Sequence, residues 1–185
     1  MKVTVDQITQ ILIGAEMGGN ISNTYKASLA VPNAIWGADR SGNSSGITFG
    51  AAQLDIGNNK VASGAYTNIL TSARFAPVPI VNDENYARLT SHNGVQRPDL
   101  QPGLHDTIRS DLKTLTAVFN EPASKAIIDS ATKSYLATDV LPKVQNFLSA
   151  VRQVWGRETV FESASRRVRF SAPFFCVPPS DHCRS

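Results

Sequence analysis

Apolar positions recur at helical spacing along most of the chain, and residues 20–59 are the exception. Ile8, Ile11, Leu12 and Ala15 share one side of a predicted helix over 5–17, with Asp6, Thr9 and Gln10 opposite. Asp6 stands near its start, where a negative charge suits the helix dipole. Gly18 and Gly19 supply a left-handed stop. Gly14 inside the helix is unfavourable on propensity, so a close packing contact is expected there. Between Asn20 and Asn59 the helical period is lost. Gly, Ser and Asn are dense, Pro32 interrupts, and 34–36 and 46–49 read as short strands between turns. This predicts a small hairpin region with long loops, and the stretch 41–45 is too short to be a linker between domains.

After Asn59 the helical period returns, with predicted helices over 60–72, 83–92, 105–120, 122–137 and 139–155. Pro77, Pro79, Pro98 and Pro102 punctuate the connections, and Asn120-Glu121-Pro122 reads as a cap followed by a proline in the first turn. Two stripes, Ala126, Ile127, Ala131 and Tyr135, then Leu141, Val144, Phe147, Leu148, Val151 and Trp155, are read as core faces. Beyond Gly156 the period dissolves. Arg166, Arg167 and Arg169 and a proline-rich end give an irregular tail over 159–185. No internal repeat is present. The expected fold is α+β, mainly α, in one domain over 1–158: a helix, a small β-hairpin region and a helical bundle.

Composition changes this picture little. The 185 residues are 42% hydrophobic and 18% charged, as in ordinary globular proteins, and long enough to bury a core. A net charge of +3 is compatible with an anionic polymer but too small to choose one, and no nucleic-acid partner is expected. No run of eighteen apolar residues exists, so no membrane span is expected. The first ten residues lack the apolar core of a secretory signal, which predicts synthesis in the cytoplasm and release by another route. Cys176 and Cys183 are the two cysteines, both in the tail, so the core is built without disulfides. With His182 they could form a metal half-site, but the paired C-x-x-C spacing of zinc sites is missing and the thiols are read as incidental.

The most distinctive stretch is Ser45-Gly46-Ile47-Thr48-Phe49-Gly50-Ala51-Ala52-Gln53-Leu54-Asp55-Ile56-Gly57, downstream of a glutamate, Glu16, at the end of the first helix. Glu16 followed by Gly18, then Asp39, then Gly46, Thr48 and Gly50 resembles the lysozyme-like superfamily, especially its phage-type and pesticin-like muramidases. The resemblance covers roughly residues 5–60 and has moderately specific motifs. It departs from the phage-type pattern in the nine positions from Asp39 to Thr48, and in Asp55, which competes for the second carboxylate. Glu16-Met17-Gly18-Gly19-Asn20 and Gly50-Ala51-Ala52-Gln53 are also similar to lytic transglycosylases, which cut the same bond without water and without a second carboxylate. The resemblance implies a lysozyme-like fold and cleavage of the β-1,4 bond between N-acetylmuramic acid and N-acetylglucosamine in peptidoglycan. It implies no cofactor, action on the cell wall after release or secretion-system delivery, and an immunity protein or delivery machinery as further partners.

The residues themselves carry part of this chemistry. Glu16 falls at the margin of the apolar stripe, one turn after Leu12, which predicts a half-sheltered carboxyl at the negative end of a helix dipole. Both conditions disfavour ionisation and suit a general acid; a solvated glutamate beside a glycine cap is the plainer reading. Oxocarbenium formation also calls for a carboxylate, or a water that it activates. Asp39 is the first candidate and Asp55 the second, although Asp39-Arg40-Ser41-Gly42 equally makes a turn. Thr48 is a candidate to hold the attacking water or is simply a strand residue. Gln53 is a candidate for an N-acetyl sugar contact or for fixing the loop, and Gly46 and Gly50 for close approach of backbone to sugar. Tyr25, Trp36 and Tyr66 are candidates to stack on sugar rings or to be core. His92 and His105 have no matched nucleophile, which argues against a Ser/His/Asp hydrolase. A non-catalytic glycan-binding module and a chitosanase-like enzyme are the other readings.

Overall fold

The computed structural model describes residues 3–29, 46–96, 101 and 103–155. Helix α1 (Val5–Glu16) is opened by a capping box: Thr4 Oγ1 accepts from the Gln7 amide, and the Gln7 side chain accepts from the Thr4 amide. Such a cap contributes about 1 kcal/mol. Gly18 and Gly19 end the helix at positive φ, and the Gly19 amide donates back to the Ile13 carbonyl at 3.0 Å. A 3₁₀ turn (Ile21–Tyr25) leads into β1 (Ser28–Leu29), which joins β2 (Ile47–Phe49) and β3 (Leu54–Asp55) in an antiparallel sheet of order β1-β2-β3. Ser28 stands opposite Thr48, and Thr48 opposite Asp55.

Helices follow. Asn59 caps α2 (Lys60–Arg74), accepting from the Val61 and Ala62 amides, and Asn82 caps α3 (Asp83–Thr90) in the same way. α4 (Leu104–Phe119) and α5 (Pro122–Tyr135) come next, the latter with its proline in the first turn, as expected of a ring that needs no amide partner there. A π-helical turn (Leu136–Val140) then continues into α6 (Leu141–Trp155). Pro142 accounts for that turn. It has no amide to give to the Thr138 carbonyl and its ring crowds that oxygen, so the backbone widens and the Leu141 amide reaches five residues back to Leu136.

Among the described residues the chain is therefore mainly helical with one small sheet, and it divides into two units, residues 1–145 and 146–185. In the first, Phe49 of β2 packs at 5.1 Å between ring centroids on Phe119 of α4, and Phe119 meets Tyr66 of α2 edge-on at 6.3 Å. Ile47, Leu54, Ile69, Leu70, Leu115 and Ile128 complete a core that joins the sheet to α2, α4 and α5. In the second, the described part is the end of α6, where Phe147 is exposed rather than core.

Several local expectations need correction. Ile11 is 66% exposed and Ala15 is exposed, so α1 buries Ile8 with partial cover of Leu12 and Ile13. No atom outside its own helix lies within 4 Å of where a Gly14 side chain would begin, so packing does not explain that glycine. The buried positions of α5 are Ser124, Ile128, Ala131 and Thr132, while Ala126 faces out. The expected strand over 34–36 and the tail over 159–185, with Cys176, His182 and Cys183, lie outside the described residues. Among the described residues no helix is long and apolar enough to cross a membrane.

Candidate active site

The turn between β2 and β3 determines where the candidate residues stand. It is made by Gly50, Ala51, Ala52 and Gln53, with φ of +79° at Gly50 and +47° at Gln53. The Gln53 amide closes it on the Gly50 carbonyl at 3.0 Å, and the Gly50 amide donates to the Thr24 carbonyl at 2.9 Å. A side chain at position 50 would start 2.8 Å from Thr132 Oγ1 of α5, so glycine is required by backbone conformation and by space together. Gly46 is required by space alone, because a Cβ there would lie 2.5 Å from the Val95 carbonyl oxygen. Both glycines admit the protein's own atoms, which accounts for them without a sugar chain.

The turn carries Gln53 to the end of α1, where its Nε2 donates to Glu16 Oε2 at 2.8 Å. The sequence separates these residues by 37 positions, and the fold unites them. Glu16 is exposed, not half-sheltered as its place at the margin of the apolar stripe predicted, because the covered side of α1 is narrower than its sequence implies.

Asp55 and Thr48 are occupied differently. Asp55 Oδ1 accepts from the Gly46 amide at 3.0 Å and the Gly57 amide at 2.8 Å, and Oδ2 accepts from Asn58 Nδ2 at 3.2 Å. Three donors make this carboxylate the clasp of the loop that leads from β3 to α2. Thr48 is 3% exposed, and its hydroxyl lies 2.7 Å from that of Ser28. Asp39 and Trp36 lie outside the described residues. Tyr66 is wholly buried, donates to the Leu89 carbonyl at 2.8 Å, and belongs to the core rather than to a cleft.

Gln53, Asp55, Asn58, Lys60, Tyr135 and Asp139 line a cleft of about 520 Å³. Lys60 and Val61 also border a second depression of about 550 Å³ between α2 and α5, lined by Asn68, Ser130 and Ser134. The two share Lys60 and Val61, so a groove of mixed polar and apolar lining runs from the Gln53 turn along the α2–α5 face. Tyr135 was expected on a core face and also lines the cleft, while Asp139 escaped the sequence reading, which broke the helix at this point; the available signal was Pro142, which disturbs the turn that carries Asp139.

Two further clusters lie away from this groove. Tyr25 donates to both oxygens of Asp129 at 3.1 and 3.2 Å, and Lys125 lies 4.9 Å over its ring. Burial and then the Asp129 charge push the Tyr25 hydroxyl above its ordinary pKa. His92, 1% exposed, places Nε2 2.8 Å from Asp111 Oδ2, and Arg88 reaches both oxygens of the same carboxylate. Within that cluster no nucleophile stands beside His92, and we read it as a structural hydrogen-bonded network that ties Arg88 of α3 and His92 to Asp111 of α4. Among the described residues no group of three or more His, Cys, Asp or Glu side chains could hold a metal ion.

No family model, curated protein sequence or solved structure matches the chain.

Proposed function

We propose that this protein is a lysozyme-like glycoside hydrolase that cuts the β-1,4 bond between N-acetylmuramic acid and N-acetylglucosamine in peptidoglycan, with Glu16 as the general acid. The observation that carries this reading is the hydrogen bond by which Gln53, a residue of the groove lining, holds Glu16. A polymer lies in a groove rather than a closed pocket, and Asn68, Ser130 and Ser134 offer the neutral donors and acceptors that sugar hydroxyls and N-acetyl groups pair with. Gln53 fixes one Glu16 oxygen and leaves the other for the glycosidic oxygen. A strand laid over this exposed carboxyl would exclude bulk water from the bond to be cut.

One observation favours a second reading. With Asp55 committed to its loop, Glu16 could act alone as acid and then base, as a lytic transglycosylase does, leaving 1,6-anhydro ends. Mass spectrometry of fragments released from purified peptidoglycan separates the two. Reducing muramic ends are expected from wild type, with a loss of about 10²–10⁴-fold in Glu16→Gln. Release by Glu16→Gln at the wild-type rate would overturn the site, and glycan binding without any release would leave a binding module.

A further inference from the structure

We propose that Asp139, on the π-helical turn, is the second carboxylate of this site, the base that activates water across the cleft from Glu16. This rests on the reading of the protein as a glycan hydrolase. An inverting hydrolase needs a carboxylate with an unengaged oxygen on the far side of the cleft, roughly 6.5–9.5 Å from the acid, so that water fits between. Asp55 does not meet that need. Both its oxygens already serve the Gly46, Gly57 and Asn58 donors, and turning it toward a water would strip two backbone amides of their partner.

Asp139 offers such an oxygen, and three observations support it. It is exposed, and it lines the same cleft as Gln53, whose amide holds Glu16. Its Oδ2 lies 2.6 Å from Thr138 Oγ1, while Oδ1 has no protein partner among the described residues. Its backbone is the turn widened by Pro142, and α1, which carries Glu16, packs against that turn. A single π turn inside a long helix displaces the side chains around it and recurs at functional sites. Here it presents Tyr135 and Asp139 to the cleft together, a ring for a sugar face beside a carboxylate for water.

The step balances with one water. The Asp139 carboxylate takes a proton from the water as its oxygen bonds to the anomeric carbon. The bond from that carbon to the O4 oxygen breaks, and O4 leaves with the Glu16 proton. Glu16 ends ionised and Asp139 protonated, and exchange with solvent resets both.

The test uses the full chain on purified peptidoglycan, comparing wild type, Glu16→Gln, Asp55→Asn, Asp139→Asn and Asp139→Ala. Asp139→Ala should lose about 10²–10⁴-fold in kcat with KM within a few-fold and an unchanged unfolding midpoint. Added sodium azide or formate should restore cleavage to Asp139→Ala, azide leaving a glycosyl azide seen by mass. In Asp139→Asn the acidic limb of the kcat/KM profile should disappear. Wild-type cleavage by Asp139→Ala overturns the proposal, and so does a loss that no added anion restores. Fragments with 1,6-anhydro ends also overturn it while leaving the bond assignment intact. Wild type that releases nothing removes the hydrolase reading itself, a failure visible before any variant is compared.

Discussion

Replacing Gly50 with alanine probes the joint on which the candidate site depends. Two effects oppose the substitution. A residue with a Cβ held at φ +79° costs about 1–2 kcal/mol. The new carbon would also stand 2.8 Å from Thr132 Oγ1, well inside ordinary contact, and overpacking of this kind costs about 1–3 kcal/mol. Lower entropy of the unfolded chain returns about 0.4–1 kcal/mol. The net expectation is a destabilisation of about 2–4 kcal/mol. The steric share can be isolated, because Thr132→Ala removes the clashing atom. In that background Gly50→Ala should cost only about 1 kcal/mol, the conformational share. Urea unfolding of wild type, both single variants and the double variant supplies the cycle. A Gly50→Ala protein within about 0.5 kcal/mol of wild type, a change typical of an unremarkable surface position, would refute the reasoning. An equal cost in both backgrounds would refute the steric half alone.

Asp55→Ala should destabilise by about 2–3 kcal/mol, since the Gly46 and Gly57 amides lose their acceptor, and denaturant titration would measure it. Asp111→Ala should cost about 2–3 kcal/mol by leaving buried His92 and half-exposed Arg88 without their shared carboxylate; a change below 1 kcal/mol would mean the network is slack. Burial, and after it the Asp111 charge, pushes the Tyr66 hydroxyl far above its ordinary range. Unfolded Tyr66 ionises near pH 10 while the folded form keeps its proton, so this contribution is complete below pH ~10 and declines above it. The decline is at most about 1.4 kcal/mol per pH unit for one tyrosine. Tyr66→Phe should flatten the alkaline slope of the unfolding midpoint, and parallel slopes would count against the account.

The helices were legible because their signals are local. Asn59 and Pro122 announce starts, and Ala62, Ala65, Tyr66, Ile69, Leu70 and Ala73 of α2 recur with the period of a buried face. The strand β2 was legible from its flanking glycines. The two-residue strands β1 and β3 carry too little pattern for a period to form. Pairings across the fold left no sequence trace: Glu16 with Gln53, and His92 with Asp111, are set by packing rather than spacing. Gly46 and Gly50 were singled out correctly as special positions, but for a substrate, when a carbonyl and a threonine hydroxyl of the same chain already fill the space. Glu16 was placed correctly at its helix end, while its exposure depended on how much of α1 the rest of the chain covers.

The seating of the Gly50 turn against Thr132 bears on when the site comes into being. The segment leading to it is held by residues far ahead in synthesis: Tyr25 by Asp129, the Ala27 amide by Thr116 at 3.1 Å, and Gly50 by the space beside Thr132. A nascent chain that has left the ribosome only as far as α3 therefore holds Glu16 and Gln53 but lacks the surface on which their turn is set. Long-range contacts of this kind form late. The candidate site, on this view, is completed only after α5 has emerged, and a truncated product ending before it would carry the key residues without the geometry.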